Sequence, residues 1–471
     1  MFMSDDKYDR LKRIPNWSQE KLAQAKVAVF GCGALGNEVL KNLALLGVGN
    51  IWVVDYDTIE KHNLTRSVLF RESDIGRYKA KVVAERVKEL NPDTQVHPIL
   101  GKLEFAFGRG LLREMDVAFG CVDSFGARRT LNERCYFAGI PWIDGGIDYA
   151  MGNVALFDPR VPETACYRCK MNSTHWEQIN ERRSCPDGYL KDDYKEPVIA
   201  TSIMTSSVIA AYQVEIAVQV ILGEQNFQPG TQLFLPVSFP MGFNVGKFKL
   251  NEECPDHELI AGQQNIPTHS VSIESTSSEV AAMLKLDDKW ELELPFDFVF
   301  KLICPKCGYV ELIATPVQEV KQSQASCPQC DSEYRTPTKN FKIYKGSEEA
   351  ELPLRTFWLG DKEIVQFRQN GLLTFVELTD DTSRAQEKHG AISVIVKYPC
   401  GGQQKTVEVS VNFNLGDFCR EAQEVFGIPK NRETFLIIEK TGEVLTNDKT
   451  FRSATVQNNA VLLLVPQFGG C

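Results

Sequence analysis

Three glycines set between an apolar run and a helical pattern constrain this chain more than any other feature. Val27-Ala28-Val29-Phe30 reads as a buried strand, Gly31-Cys32-Gly33-Ala34-Leu35-Gly36 follows at once, and Glu38 to Leu46 then carries apolar residues at helical spacing. Glycines in that frame permit a tight turn and a close backbone approach to phosphate groups, which then rest on the N-terminus of the helix. The next apolar run, Ile51 to Val54, ends on Asp55, 19 residues after Gly36, where an acid would meet a ribose hydroxyl. The pattern alone fits dinucleotide binding as well as ATP binding, and a strand–helix turn that holds no ligand is the bland alternative.

The rest of the first half keeps the same alternation. Lys79 to Leu90 reads as a charged amphipathic helix stopped by Asn91-Pro92, and Val117 to Phe119 and Pro141 to Ile143 read as further strands. Strands alternating with helices predict an α/β fold with a Rossmann-like, doubly wound sheet. Residues 198–222 predict a long apolar helix ending near Gly223, and 231–250 a β-hairpin region. The polar, Ser- and Thr-rich stretch Gln263 to Ser278 reads as a linker. A small Cys-rich unit follows to about Tyr344, and 345–388 carry no clear pattern. The last 80 residues stand apart. Ile392 to Lys397 and Thr406 to Val411 alternate as paired strands. Leu415, Phe418, Ala422, Val425 and Phe426 mark a helix face, and Phe435 to Ile438 and Val461 to Val465 read as closing strands. Strand–strand–helix–strand–strand in that span is the order of a β-grasp domain.

Charge and cysteine content narrow the function classes. A formal net charge of −10 gives no basic excess, so no nucleic acid partner is expected. No run of 18 or more apolar residues occurs, so no membrane partner is expected either. Met1 to Arg13 lacks the apolar core of a secretory signal. Six of the 14 cysteines form Cys-x-x-Cys pairs, at Cys166/Cys169, Cys304/Cys307 and Cys327/Cys330. Without a secretory signal such pairs read as metal sites in a reducing, cytoplasmic compartment. Cys304, Cys307, Cys327 and Cys330, with 19 residues between the pairs, match a four-cysteine zinc ribbon that would staple a unit with little core of its own.

Further residues distinguish among nucleotide-binding folds. Val54-Asp55-Tyr56-Asp57 leads into Asn63-Leu64-Thr65-Arg66, Lys79 follows Gly76, Cys121-Val122-Asp123 ends a strand, and Tyr8-Asp9-Arg10 stands near the start. This set, over about residues 7–260, resembles the ThiF/MoeB/HesA superfamily, the activating enzymes of ubiquitin-like proteins and sulfur carriers. The resemblance implies adenylation of a C-terminal glycine with Mg-ATP. Gly31, Gly33 and Gly36 would line the phosphates, Asp55 would hold the ribose, and Asp57 stands beside it. Asn63, Arg66 and Lys79 would clamp the phosphates, Asp123 would serve the magnesium ion (Mg2+), and Arg10 would reach the γ-phosphate from the other subunit of a homodimer. Cations around a pentavalent phosphorus suit that chemistry because charge builds there in the transition state. Ser67 departs from the family, which often has glutamine after the arginine. Cys166 and Cys169 resemble the superfamily's zinc half-site, and Cys254 and His257 stand where its second half falls, giving a Cys₃His set for Zn2+. Cys185, in Arg183-Ser184-Cys185-Pro186, lies where the acceptor cysteine of such enzymes falls, with arginines at hand to lower its pKa.

The C-terminal unit resembles ubiquitin-like proteins, with Gly427-Ile428-Pro429 after its helix and a tail ending Gly469-Gly470-Cys471. The expected organisation is an adenylation domain (1–265), a zinc-ribbon domain with its linker (266–345), a connecting segment (346–388) and a ubiquitin-like β-grasp domain (389–471). Gly470 would be the activated residue, preceded by Gly469 in the tail, after a separate tail-processing protease removes Cys471. A conjugating enzyme would receive the product from Cys185. Two alternatives remain at this point, a sulfur-carrier activating enzyme that makes thiocarboxylate and a catalytically dead docking scaffold.

Overall fold

In a computed structural model the described residues are 6–180, 189, 200–224, 226–236, 242–258, 268–287, 289–379, 391–398, 403–410, 434–438, 444–445 and 461–466, with five helical positions between 415 and 423. They form two compact units, Met1–Thr379 and Asp380–Cys471.

The first unit opens with α1 (Gln19–Gln24), β1 (Lys26–Phe30), α2 (Ala34–Leu46), β2 (Asn50–Asp55), α3 (Lys79–Leu90) and β3 (Gln95–Leu100). The short helices α4 (Leu103–Ala106) and α5 (Arg109–Leu112) precede β4 (Val117–Gly120), α6 (Phe125–Ala138), β5 (Trp142–Ile147) and β6 (Met151–Phe157). There follow α7 (Ser173–Asn180), α8 (Ile203–Leu222), β7 (Thr231–Pro236), β8 (Asn244–Lys247) and α9 (Pro255–Glu258). These strands make one sheet, ordered β3-β2-β1-β4-β5-β6-β7-β8. It is parallel from β3 to β5 and antiparallel from β5 to β8.

Alternate side chains of β1 explain the two layers of helices. Val27 and Val29 enter a core with Val39, Leu43 and Ile209 of α2 and α8, while Ala28 and Phe30 enter a second core with Leu112, Leu131 and Cys135 of α5 and α6. A strand buried on both faces must be apolar throughout, which is why β1 reads as a continuous hydrophobic run. The long helix α8 has the length and apolar composition of a membrane span. Nine of its residues, among them Ile209, Gln213 and Ala217, are nevertheless buried, and the Gln213 amide donates to the carbonyl oxygens of Ile143 (3.0 Å) and Gly120 (3.3 Å) in the sheet.

The middle of the chain departs from expectation. β9 (Thr268–Ser272) falls within the stretch read as a linker, and α10 (Ser277–Met283) begins at its end. β10 (Glu291–Ile303), β11 (Val310–Pro316) and β12 (Thr336–Tyr344) carry the cysteine ribbon, but β13 (Ile364–Gln369) and β14 (Leu372–Thr379) lie in the segment read as a connection. All six join one sheet, ordered β11-β10-β13-β14-β9 with β12 also on β10. The expected boundary at 345/346 therefore cuts a single domain, whose core of Trp290, Leu292, Phe298, Phe357, Phe367 and Val376 draws on both sides of it. The expected boundary at 265/266 lies outside the described residues. A polar, Thr/Ser-rich sequence reads as a linker because β9 is an edge strand, parallel to β14, and needs few apolar residues.

This second domain is fastened to the first. The Glu363 carboxylate is buried and takes Arg109 Nε at 2.6 Å and the Arg134 guanidinium. The Gly110 N–H donates to the Lys362 carbonyl at 2.8 Å, and Phe105 packs edge-on to both Phe296 (5.0 Å) and Trp358 (5.4 Å). Burial alone would push the Glu363 carboxyl up, but Arg134 and Arg109 outweigh it and hold it below the ordinary carboxylate value.

The second unit contains β15 (Ala391–Tyr398), β16 (Gln403–Ser410), β17 (Thr434–Ile438), β18 (Val444–Leu445) and β19 (Val461–Pro466), ordered β16-β15-β19-β17-β18. β15 pairs antiparallel with β16 and parallel with β19. Val394, Val396, Leu436, Leu462 and Leu464 are buried, as are the helical positions Leu415, Phe418 and Ala422.

Removing the charge at Glu363 leaves two arginines uncompensated at the domain junction. Glu363→Gln is expected to cost about 3–5 kcal/mol of unfolding free energy at neutral pH. Because the folded pKa is depressed, the stabilisation is present above the unfolded carboxylate value and is lost as pH falls through the folded one. Urea unfolding midpoints of the two proteins should converge as pH drops through that window, and a constant gap would show that the ion cluster is not the cause.

Candidate functional site

At the C-terminal ends of β1, β2 and β4 the chain leaves a cavity of about 2120 Å³, lined among others by Gly31, Gly33, Asp55, Asp57, Asn63, Arg66, Lys79 and Asp123. The glycine turn shapes its floor. Gly31 has φ +93°, and a Cβ there would meet the Cys121 carbonyl oxygen at 2.5 Å. A Cβ on Gly36 would stand 1.9 Å from the Gly31 carbonyl oxygen, so α2 can start this close to β1 only without a side chain. Gly33 is the N-cap of α2 and has open space where a Cβ would go, leaving the helix N-terminus accessible from the cavity.

Asp55 ends β2 and is buried. Its carboxylate accepts from the Cys32 N–H at 2.6 Å and the Asp57 N–H at 2.8 Å, which ties the acid to the glycine turn. Burial raises its pKa, against Lys79. Lys79 opens α3 and is 9% exposed, with its Nζ 2.8 Å from Asp57 Oδ2. Burial would lower the Lys79 pKa, but Asp55 and the hydrogen-bonded Asp57 outweigh it and hold the ammonium above its ordinary value. Asn63 is buried, its side-chain oxygen accepting from the Glu60 N–H at 2.9 Å. Arg66 is half-buried, with Nη1 donating to the His62 carbonyl at 3.0 Å. Asp123 is exposed just before α6. Arg10 is exposed near the N-terminus and is not among the residues lining its own chain's cavity. Cys185, Gly469 and Gly470 lie outside the described residues.

The cavity also holds charges that the sequence did not single out. On α6, Arg128 Nε donates to Asp144 Oδ1 at 2.9 Å, and the Arg129 guanidinium lies 5.7 Å from the Trp176 ring centroid. Lys170 follows Cys169 and stands over Tyr167 (4.5 Å) and Phe248 (5.0 Å). Burial, with Arg128 nearby, draws its pKa below the ordinary lysine value against Asp144. The Arg128-Arg129 doublet resembles any charged helix face until the fold turns it inward, so only its position shortly after Asp123, near the start of α6, could have flagged it.

Two clusters have the size of metal sites. Cys166 Sγ lies 3.7 Å from Cys169 Sγ and 3.6 Å from Cys254 Sγ, and Cys169 Sγ lies 3.2 Å from His257 Nε2. Cys304–Cys330 and Cys307–Cys327 are each 3.6 Å apart. A tetrahedron with metal–sulfur bonds of about 2.3 Å has edges of about 3.8 Å, so both sets can hold a metal ion. Asp256 accepts from Asn132 Nδ2 at 2.7 Å and pairs with Arg168 at 3.0 Å, which fixes α9 and with it Cys254 and His257. Outside these clusters, burial pushes the thiols of Cys32, Cys121 and Cys135 well up, so none of the three is a ready nucleophile.

The SAMP-activating enzyme E1 of Haloferax volcanii is 29% identical over 255 residues, covering 53% of this chain and 87% of that protein. The sulfur carrier protein adenylyltransferase of Thermus thermophilus is 35% identical over 170 residues, or 35% of this chain and 63% of that one. Among solved structures, Escherichia coli MccB with ATP aligns at 25% identity and a TM-score of 0.44, covering 54% of this chain and 73% of its own. The ThiF family matches residues 6–256, more than half of the chain and the whole of the eight-stranded sheet with both of its helical layers; this chain belongs to the ThiF family.

Proposed function

We propose that the chain is an ATP-dependent adenylyltransferase that activates the C-terminal glycine of a ubiquitin-like protein. The observation that carries this reading is the convergence of Asp55, Asn63, Arg66, Lys79 and Asp123 on one cavity at the N-terminus of α2. In the reaction the glycine carboxylate oxygen attacks the α-phosphorus of ATP, the bond to the bridging oxygen breaks, and pyrophosphate leaves. Asp55 holds the ribose, and Lys79, Asn63 and Arg66 stabilise charge on the phosphate oxygens as it builds. Asp123 would hold a magnesium ion, which neutralises phosphate charge when bound. In a second step the Cys185 thiolate attacks the acyl carbon, AMP leaves, and a thioester remains for transfer to a conjugating enzyme. Cys185 takes this role because it lies between the Cys166/Cys169 pair and α8, where the resemblance puts the acceptor cysteine. Relatives named as sulfur carrier adenylyltransferases share the same half of the chain, so thiocarboxylate formation is the second reading. A docking scaffold has no use for so complete a phosphate-binding set.

The second unit supports a fused ubiquitin-like domain. Its central parallel pair, β15 with β19, and its order β16-β15-β19-β17-β18 are those of a β-grasp sheet, with helical residues between β16 and β17. Activation of Gly470 after removal of Cys471 by a protease, in a cytoplasmic setting, completes the proposal.

Homodimer formation is part of it. Ile14, Leu45, Met204, Val208 and Tyr212 are all more than a third exposed. Ile14 and Leu45 line an apolar groove with Leu11, Trp17, Leu46 and Val218, and α8, which carries Val218, also bears Met204, Val208 and Tyr212. Arg10 immediately precedes Leu11 of this groove, and in the proposed dimer it would serve the partner's cavity, as the resemblance implies. Light scattering should give a dimer, and Tyr212→Asp with Leu45→Asp should give a monomer with little pyrophosphate exchange. A fully active monomer would refute the shared site.

Asp123→Ala should keep the fold and lower ATP–pyrophosphate exchange by at least about a hundredfold. Wild-type exchange in the folded variant would sink the assignment. Metal analysis of freshly purified protein should give two zinc ions per chain, with Cys304→Ser removing one and leaving exchange measurable. One ion or none in the wild type would show that a ligand set is wrong.

A further inference from the structure

The domain built on β9 to β14 lies outside the region matched by the family, yet it walls the same cavity, contributing Phe296, Val317 and Glu319. Where its residues stand follows from the order of the first sheet. Phosphates belong at the N-terminus of α2 and the ribose at Asp55. The base hangs from the far side of the ribose, away from the phosphates. Beyond β2 the next strand is β3, with Asp55 in register with Leu100, so the base falls over the residues that follow Leu100. There Lys102 Nζ lies 5.6 Å from the centre of the Tyr56 ring, and Glu319 Oε1 lies 2.6 Å from that Nζ. Tyr56 and Lys102 line the cavity together with Glu319. The Glu319 side chain is 18% exposed and that of Lys102 is 37% exposed.

We infer that the second domain completes the base end of the nucleotide site, with Glu319 as a positioning residue that holds Lys102 against Tyr56. A free lysine on a four-carbon stem samples many rotamers and gives up that freedom when it binds. A carboxylate fixed on another domain removes most of this loss before the nucleotide arrives. The ammonium then has donors left for a purine ring nitrogen, while Tyr56 offers a face for stacking. Glu319 can do this only if its domain does not move. The buried Glu363 cluster and the packing of Phe105 between Phe296 and Trp358 supply that rigidity. The inference rests on the reading of the cavity as an ATP site, and it adds a contributor 217 residues away from Lys102.

The test is equilibrium binding of ADP to the full chain by calorimetry, which needs no acyl substrate, followed by exchange kinetics. Glu319→Ala should weaken ADP about three- to tenfold and raise the KM for ATP more than it lowers kcat, at unchanged thermal midpoint and zinc content. Lys102→Met added to Glu319→Ala should weaken binding little further, because the two act as one unit. Unchanged ADP affinity in folded Glu319→Ala overturns the inference, as does full additivity of the two substitutions. A fall in kcat at constant KM, with a lowered thermal midpoint, also overturns it, by assigning Glu319 a merely structural role. Wild-type protein that binds no ADP overturns this inference and the ATP reading together. ADP binding weakened in Glu319→Ala, in a wild type that activates no glycine, supports the inference and overturns the adenylation reading alone.

Discussion

The contact between Gly36 and Gly31 is the constraint on which the first domain depends. With no Cβ on Gly36, α2 begins directly above the end of β1, and its N-terminus opens on the same cavity that Asp55 and Lys79 reach from β2 and α3. Any side chain at Gly36 would drive the helix away from the strand, since 1.9 Å is far inside van der Waals contact with the Gly31 oxygen. The Asp55 carboxylate reinforces the turn from the other side, binding the Cys32 N–H within it. Asp55 and the glycine turn are therefore one hydrogen-bonded piece, and a shift in either moves both.

The legibility of the chain follows from how far each signal reaches. β1, β2 and β4 were readable because strands buried on both faces must be apolar along their whole length, and the intervening helices carry their own period. The Cys-x-x-Cys pairs were readable because ligand spacing is a short-range code, whereas Cys254 and His257, which meet Cys166 and Cys169 across 88 positions, were placed only by the family resemblance. The second domain was not readable as a whole. Its core is assembled from residues as far apart as Val271 and Leu378, and the strand that completes it, β9, is a polar edge. Nor could local pattern reveal that Glu363 accepts two arginines from the first domain, or that Glu319 meets Lys102. Those pairs exist only after both domains have folded, and an isolated acid in a sequence looks like an ordinary surface group.

The two domains of the first unit show different uses of buried charge. At Glu363 two guanidinium groups bond directly to one carboxylate, and the gain is a fixed geometry between sheets more than a gain in stability. In the cavity, acids and bases are only partly paired. Arg128 leans on Asp144, Lys170 is held near the same acid, and Arg129 faces an indole. Cations with such incomplete compensation attract an anionic ligand, whereas a fully neutralised set would not.

Under the proposed function, Lys79 would be the residue that turns this arrangement to phosphate chemistry. An exposed lysine would have to shed water and lose rotamer freedom when a nucleotide binds, and both costs would subtract from affinity and from transition-state stabilisation. Here both are met in folding, because Lys79 is already 9% exposed and already held by Asp57 at 2.8 Å. Asp57 is itself nearly half exposed, so it can turn to solvent at little cost when a phosphate oxygen takes its place beside the ammonium. Binding then exchanges one anion for another around a charge that never returns to water. Asp55, tied to the glycine turn by two backbone donors, does not move in this exchange and keeps the lysine charged throughout. The site is thus prepared for negative charge at the phosphates before any arrives, which is the condition under which fixed cations lower a barrier and do not merely tighten the ground state.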